Sequence, residues 1–291
     1  MKLAVISGKG GSGKSSVTAA FVSLSSSVLA IDCDVDASNL PLLFSHEVLH
    51  HEKFASGEDL LVDNTKCVGC GLCIEKCAFH ALEMDEAGSV RATDFGCEGC
   101  GLCVRLCPAG ALQLVPVESS DIYLSRFSQG LLVHGRLRPG DDNSGKMIAR
   151  LRALGDEAMR RERIGLQILD GPPGIGCPVL STVTGVDVVV VVTEPTLSGI
   201  SDLKRACRVA RSFCQEIKVI INKCDVNREN TLLIEHFCRE EHLPVVAELP
   251  FDRKMVEAQL HCESIITYAP DRDCASRLRR AYHEIICGAA R

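Results

Sequence analysis

The feature that most constrains this chain is a glycine-rich loop at its beginning. Residues 8–15 read GKGGSGKS and fit the pattern GxxxxGK[ST]. The loop follows an apolar run over 2–6 and precedes a helical pattern over 14–24. A strand, a glycine loop and a helix in this order surround phosphate oxygens with backbone N–H groups and a helix N-terminus. The sequence therefore predicts a P-loop fold that binds ATP and Mg²⁺.

Each residue type in the loop has a physical role. Glycines let the backbone close around phosphates, Lys14 reaches the outer phosphates, and the Ser15 hydroxyl binds Mg²⁺. The predicted nucleotide-binding residues of this segment are Gly8, Lys9, Gly10, Gly11, Ser12, Gly13, Lys14, Ser15 and Ser16.

Short apolar runs alternate with helical patterns over most of the chain, which is typical of a parallel, doubly wound α/β sheet covered by helices. The predicted strands are 2–6, 28–31, 166–169, 187–192, 218–221 and 245–247. The predicted helices are 14–24, 145–163, 200–214, 229–241 and 272–287.

A cysteine-rich repeat interrupts this alternation after the second predicted strand. TKCVGCGLCIEKCAFHALEM from Thr65 is echoed by FGCEGCGLCVRLCPAGALQL from Phe95. Such a duplicated unit buries little core and depends on metal to fold. We therefore predict a discontinuous ATPase domain over 1–61 and 116–291, with a small α+β bacterial ferredoxin-like domain inserted over 62–115.

Both cysteine runs have the spacing CxxCxxCxxxC, the pattern of two-cluster bacterial ferredoxins, in which the fourth cysteine of each run serves the other cluster. The predicted ligands of the first [4Fe-4S] cluster are Cys67, Cys70, Cys73 and Cys107. Those of the second are Cys97, Cys100, Cys103 and Cys77. The first run has Ala78 where the pattern expects proline, and zinc is the chemical alternative.

Bulk properties narrow the function classes. A net charge of -6 and a pI near 5.9 argue against a protein that binds nucleic acid by neutralising phosphates. No apolar run approaches the ~20 residues that span a bilayer, and 1–7 do not resemble a signal peptide. We expect a cytoplasmic protein in which the remaining cysteines are mostly buried thiols.

Cys177 is either a buried thiol, the favoured interpretation, or a ligand or redox thiol near the nucleotide.

Lys9 turns the loop into KGGSGKS, which resembles the deviant Walker A motif of the MinD, ParA, Mrp and nitrogenase iron protein superfamily. The resemblance implies that Lys9 reaches the nucleotide of a second subunit, in an ATP-dependent homodimer or a heterodimer with a paralogue. It makes Lys9, Lys14, Asp34 and Asp170 the catalytic candidates.

The same resemblance assigns the segments around those residues. IDCDVDASNL resembles the first switch, where Asp34 orients the attacking water, and Asp32 and Asp36 either assist the metal or cap the turn. DGPPG resembles the second switch, where Asp170 holds Mg²⁺ through water and the Gly174 amide senses the γ-phosphate. Asn222 and Pro250 match adenine-contacting segments.

With its insert, the chain resembles MinD-superfamily ATPases that contain a ferredoxin domain. Three functions are compatible with this: ATP-gated electron transfer, MinD-like positioning or scaffolding with redox-sensing clusters, and Mrp-like cluster assembly. Each requires a redox or complex partner protein. The arginine-rich segment 271–291 has an amphipathic pattern that fits a helix packed on the sheet better than a membrane-surface helix.

Overall fold

A computed structural model describes residues 1–55, 57–93, 96–138 and 143–288. Its contacts divide the chain into two units, one formed by Met1–Glu52, Ile122–Arg136 and Ser144–Arg291, the other by Lys53–Asp121 and Leu137–Asn143. The predicted insert, 62–115, lies inside the second unit.

A nine-stranded sheet forms the centre of the first unit. Its strands are β1 (Lys2–Ser7), β2 (Val28–Asp32), β3 (His46–Phe54), β8 (Ser120–Phe127), β9 (Gly130–Arg136), β10 (Gln167–Pro173), β11 (Val188–Thr193), β12 (Glu216–Asn222) and β13 (Val245–Leu249). Their order in the sheet is β13-β12-β11-β1-β10-β2-β9-β8-β3. The run from β13 to β9 is parallel throughout. The predicted parallel α/β fold is confirmed.

Strands β3, β8 and β9 were not predicted, and all three lie at one side of the sheet. Strand β3 reads HEVLHHEKF and is mostly exposed, so it has no apolar run to reveal it. Strands β8 and β9 are separated by two residues only, which makes them a hairpin. The parallel pairing of β9 with β2 extends the buried sheet.

The helices of the first unit cover the sheet. They are α1 (Lys14–Leu24), α4 (Ser144–Glu162), α5 (Cys177–Val183), α6 (Leu197–Arg211), α7 (Arg228–Glu240), α8 (Arg253–Leu260), α9 (Ile265–Tyr268) and α10 (Asp273–Gly288). Of the five predicted helices, α1 has the predicted ends and the other four are present with shifted ends, whereas the short α5, α8 and α9 were not predicted. Leu278 and Ile285 of α10 are fully buried, so its apolar face packs on the core. No helix within the described ranges is both long and apolar enough to cross a membrane.

The second unit repeats one small motif twice. Its helices are α2 (Leu72–Lys76) and α3 (Leu102–Leu106), and its strands β4 (Gly57–Val62), β5 (Leu82–Met84), β6 (Val90–Ala92) and β7 (Leu112–Val117) form the antiparallel pairs β4-β7 and β5-β6. Gly71 and Gly101 precede the helices with φ of 73° and 70°, a left-handed conformation that favours glycine. The 30-residue offset of the sequence repeat is thus a structural repeat.

Candidate functional site

The glycine loop between β1 and α1 lies at the carboxyl ends of the parallel strands, where such sheets bind ligands. It borders a cavity of about 790 Å³. Ten of the predicted nucleotide-site residues line this cavity: Gly10, Gly11, Ser12, Gly13, Lys14, Ser15, Ser16, Asp34, Asn222 and Pro250. The size suits a ligand of nucleotide dimensions.

The Lys14 ammonium is the electrostatic centre of this site. Its Nζ lies 3.0 Å from Asp170 Oδ1, 3.8 Å from Asp34 Oδ2 and 3.2 Å from Ser15 Oγ. Burial opposes the charge of Lys14, but the carboxylates of Asp170, Asp32 and Asp34 outweigh burial and raise its pKa. The ammonium stays charged and is neutralised within the chain.

Asp170 itself lies beneath the cavity lining and is 1% exposed. Its Oδ2 atom has no hydrogen-bond partner among the described residues. A buried carboxylate oxygen without a donor, on the residue that pairs with Lys14 of the phosphate loop, has the chemistry to hold a hydrated Mg²⁺ ion. The residues present therefore fit the predicted magnesium.

Asp32 organises the loop that carries Asp34. It accepts hydrogen bonds from Asp34 N at 3.0 Å, Ser38 Oγ at 2.9 Å and Leu40 N at 3.0 Å, which corresponds to the turn-capping alternative. Burial and the neighbouring Asp170 raise the pKa of Asp32 to about 7. Burial also raises the pKa of Asp34. Asp36 lines the cavity.

Asn222, the last residue of β12, binds the backbone of the phosphate loop through its side chain. Its Nδ2 donates to Ser12 O at 2.9 Å, and a Cβ at Gly13 would lie 2.2 Å from that nitrogen. Gly13 also has φ of 91°, so any side chain there meets both strain and a clash. Asn222 is thus a structural partner of the loop as well as a residue of the cavity wall.

Four predicted residues lie outside the cavity lining. Gly8 packs against α6, where a Cβ would lie 2.4 Å from Asp202 Cβ, and Gly174 donates its N–H to Ser7 O at 2.9 Å. Asp170 is buried, as described. Lys9 is held by its own chain: Nζ lies 2.6 Å from Glu194 Oε1 and donates to Thr196 Oγ1 at 3.0 Å.

Glu194 also binds Lys223 at 2.9 Å, so one carboxylate neutralises two lysines at the loop. Partial burial opposes ionisation of Glu194, but hydrogen bonds from both lysines lower its pKa. The sequence analysis missed Glu194 because nothing in its local pattern marks it. It also missed five further residues of the cavity lining, Leu42, Leu43, Met255, Val256 and Gln259.

The eight cysteines of the second unit border two separate cavities. One is lined by Cys67, Cys70, Cys73 and Cys107, the other by Cys77, Cys97, Cys100 and Cys103. Each cavity thus contains three cysteines of one run and the last cysteine of the other run. Backbone N–H groups of Ala81 and Ala111 donate to the sulfurs of Cys77 and Cys107 at 3.4 and 3.3 Å.

Within the described residues, no group of three or more histidine, cysteine, aspartate or glutamate side chains surrounds a position for a single metal ion. A four-iron cubane is wider than an ion, and each thiolate binds a different iron atom. Four thiols around an apolar cavity, one of them accepting an N–H bond, fit that larger group.

The other cysteines whose side chains are described divide by exposure. Cys33, Cys207, Cys214, Cys224, Cys238 and Cys274 are buried, as predicted for ordinary thiols. The favoured interpretation of Cys177 as a buried thiol is wrong, because this residue begins the short helix α5 and is exposed. Cys262 is exposed as well.

The family model of the CobQ/CobB/MinD/ParA nucleotide-binding domain matches residues 3–265. The chain belongs to this family. The uncharacterised protein MJ0578 of Methanocaldococcus jannaschii is 37% identical over 239 residues, which cover 79% of the chain and 80% of that protein.

Two solved MinD structures have the same fold as this member of the CobQ/CobB/MinD/ParA family. MinD of Pyrococcus horikoshii OT3 in complex with Mg-ADP is 18% identical, covers 98% of the chain and 95% of its own length, and has a TM-score of 0.57. The MinC:MinD complex of Aquifex aeolicus is 17% identical, covers 99% and 96%, and has a TM-score of 0.58. The family consists of nucleotide-binding proteins with a P-loop, and the segment Gly8–Ser15 is the P-loop of this chain.

The charge cluster predicts an unusual pH dependence for Lys14→Met. In the unsubstituted protein, the raised pKa of Asp32 means that stability is lost as pH rises from about 4 to about 7. Without the ammonium, the pKa values of Asp32 and Asp34 rise further, so the loss extends to higher pH. We expect Lys14→Met to lower the free energy of unfolding by about 3–5 kcal/mol at pH 8 and by less at pH 5.

Urea denaturation of the empty protein at several pH values measures this effect. Lys2→Met is the matched control, because Lys2 pairs with the partly exposed Asp156 at 2.8 Å, away from the loop. Parallel stability curves for Lys14→Met and the unsubstituted protein would contradict the assigned charge cluster.

Proposed function

We propose that this protein binds and hydrolyses ATP, forms a nucleotide-dependent dimer, and transfers electrons under the control of ATP through two [4Fe-4S] clusters. The observation that carries the proposal is the segregation of eight cysteines into two cavities, each lined by the four residues that the crossed ferredoxin pattern assigns to one cluster. When bound, such clusters supply one-electron transfer.

ATP hydrolysis is proposed from the loop and its carboxylates. Lys14 would leave Asp170 and Asp34 for the outer phosphates, Ser15 and Asp170 would hold Mg²⁺, and Asp34 would orient the attacking water. Membership in a family of nucleotide-binding ATPases supports this assignment. Asn222 and Pro250, which line the same cavity, are the proposed contacts of the base.

The chemistry of the second unit favours clusters over zinc. Zinc prefers four ligands converging on one ion, whereas no such group occurs in the described part of the chain. Cys73 is buried with Leu82, Val90 and Leu112, so the thiols belong to the small core of this unit. We propose a cytoplasmic location, since a reducing compartment keeps thiols available as ligands.

Dimer formation is proposed from Lys9. In the single chain its ammonium is occupied by Glu194, Thr196 and Ser198. A second subunit with bound nucleotide would offer Lys9 a phosphate group, which has more acceptor oxygens and a larger negative charge than the Glu194 carboxylate. Either a second copy or a paralogue would provide that surface.

A scaffolding function is the second candidate. The fold resembles MinD, and one of the similar structures is a MinD complex with MinC. In that case the second unit would act as a redox sensor or docking module, and the partner would be a component of a larger complex. Coupling between nucleotide and cluster redox state separates the two candidates.

Metal analysis tests the second unit directly. Protein purified without oxygen should contain about eight iron and eight sulfide per chain. The double variant Cys73→Ser with Cys107→Ser removes two thiols from one cavity and should retain about four iron. The double variant Cys103→Ser with Cys107→Ser removes one thiol from each cavity and should retain little iron.

An uncrossed arrangement would reverse these two outcomes, and Cys262→Ser, outside both cavities, should leave the iron content unchanged. About two zinc ions per chain, without visible charge-transfer absorption, would show that the assignment of clusters is wrong.

The dimer is tested with Lys9→Ala. We expect this variant to bind a non-hydrolysable ATP analogue with Mg²⁺ nearly as well as the unsubstituted protein, but to hydrolyse ATP more slowly and to dimerise less. Lys14→Ala should weaken binding itself, because its ammonium contacts the nucleotide of its own subunit. Light scattering with saturating analogue measures the mass. A monomer that hydrolyses ATP normally would contradict the proposal.

Electron transfer gated by ATP requires reciprocal coupling. The second unit is inserted between Asp34 and Asp170, both of which belong to segments that rearrange around the γ-phosphate in this class. If ATP shifts a one-electron potential by about 60 mV, reduction must change ATP affinity about tenfold. Calorimetry on oxidised and dithionite-reduced protein measures this. Equal affinities, with potentials unaffected by ATP, would favour the scaffold.

A further inference from the structure

The Asp170 carboxylate is held asymmetrically. Oδ1 receives two donors, Thr18 Oγ1 at 2.8 Å and Lys14 Nζ at 3.0 Å, while Oδ2 has none among the described residues. Thr18 is completely buried and Asp170 is 1% exposed. A pair of donors on one oxygen fixes the orientation of the whole carboxylate and leaves the other oxygen available.

The position of Thr18 follows from α1. Thr18 comes four residues after Lys14, so both side chains lie on the same helix face, one turn apart. Asp170 ends up between them because β10 is the strand beside β1, from which the loop leads into the helix. The same turn of α1 thus supplies both donors to the carboxylate.

A threonine inside a helix often does no more than donate to the carbonyl four residues before it. Thr18 Oγ1 has such a carbonyl, Lys14 O, at 3.1 Å. A hydroxyl carries a single hydrogen, and the oxygen of Asp170 is the closer acceptor, at 2.8 Å against 3.1 Å for the carbonyl. The threonine bond to Asp170 is therefore the one that decides the geometry.

We propose that Thr18 is a positioning residue for magnesium binding, which it serves by orienting Asp170. This inference rests on the proposed binding of magnesium nucleotide at the loop. When phosphates draw the Lys14 ammonium away from Asp170, Thr18 would remain as the donor to Oδ1 and would hold the carboxylate in its orientation. Oδ2 would then be available to a bound ion or its water without a rearrangement of the carboxylate.

The test is the magnesium-dependent part of ADP affinity. Calorimetric dissociation constants of ADP are measured with excess Mg²⁺ and with EDTA, and their ratio isolates the contribution of the ion. We expect Thr18→Val, which keeps the shape but removes the hydroxyl, to reduce this ratio about tenfold or more, as for other groups that orient metal ligands. Binding in EDTA should change little. Thr18→Ser should restore the ratio.

Thr231→Val is the matched control. Thr231 is also fully buried in a helix, but its hydroxyl oxygen lies 2.7 Å from Cys224 O and 3.1 Å from Asn227 O, so its single hydrogen goes to a backbone oxygen. This variant should lose stability without any change in the ratio. If Thr18→Val does not fold, Thr18→Ala removes the same hydroxyl and suits a helix better.

Three results would overturn the inference, and a fourth would overturn the proposed nucleotide function. An unchanged ratio in Thr18→Val or Thr18→Ala overturns the inference, as does an equal reduction in Thr231→Val. A reduction that Thr18→Ser does not reverse also overturns it, because the hydroxyl is then not responsible. If the unsubstituted protein binds no ADP under either condition, the proposed nucleotide function fails instead.

Discussion

The ammonium of Lys14 is the charge on which the centre of the first unit depends. It lies among the carboxylates of Asp170, Asp32 and Asp34 at the ends of adjacent strands. Asp170 pairs in register with Asp32 across β10 and β2, so two carboxylates are buried side by side. Burying either without a cation would cost several kcal/mol. The loop and the segments that carry Asp34 and Asp170 are therefore held to one another electrostatically.

A second constraint operates in the smaller unit, where the apolar core is minimal. The buried residues of its cluster are Cys73, Leu82, Val90 and Leu112, and cysteines pack around them. A core of this size cannot offset the entropy of ordering the chain without a further source of stability. The proposed clusters, held by eight thiolates, would provide it and would then link folding of this unit to metal loading. Folding of the first unit does not depend on a metal in this way, because helices cover its parallel sheet and bury a large apolar core.

Individual strands and helices show which structural features sequence patterns could predict. Strands β1, β2 and β11 each contain a continuous apolar run, and such runs are recognisable because both faces of a parallel sheet are buried. Strand β3 is exposed and polar, so its pairing at the sheet edge could not be predicted from periodicity. Exposure of Cys177 was also unpredictable, since local sequence gives no information on which side of α5 faces solvent.

The sequence by itself determined the phosphate loop, the order of the principal strands and the spacing of the cysteines, because each is a local pattern with a direct physical meaning. Only the tertiary structure decided which distant residues meet: Glu194 with Lys9, Asn222 with Ser12, and Thr18 with Asp170. Such contacts join residues far apart in the chain through strand order and helix packing. They are absent from any local pattern because the interaction arises only when the fold brings the groups together.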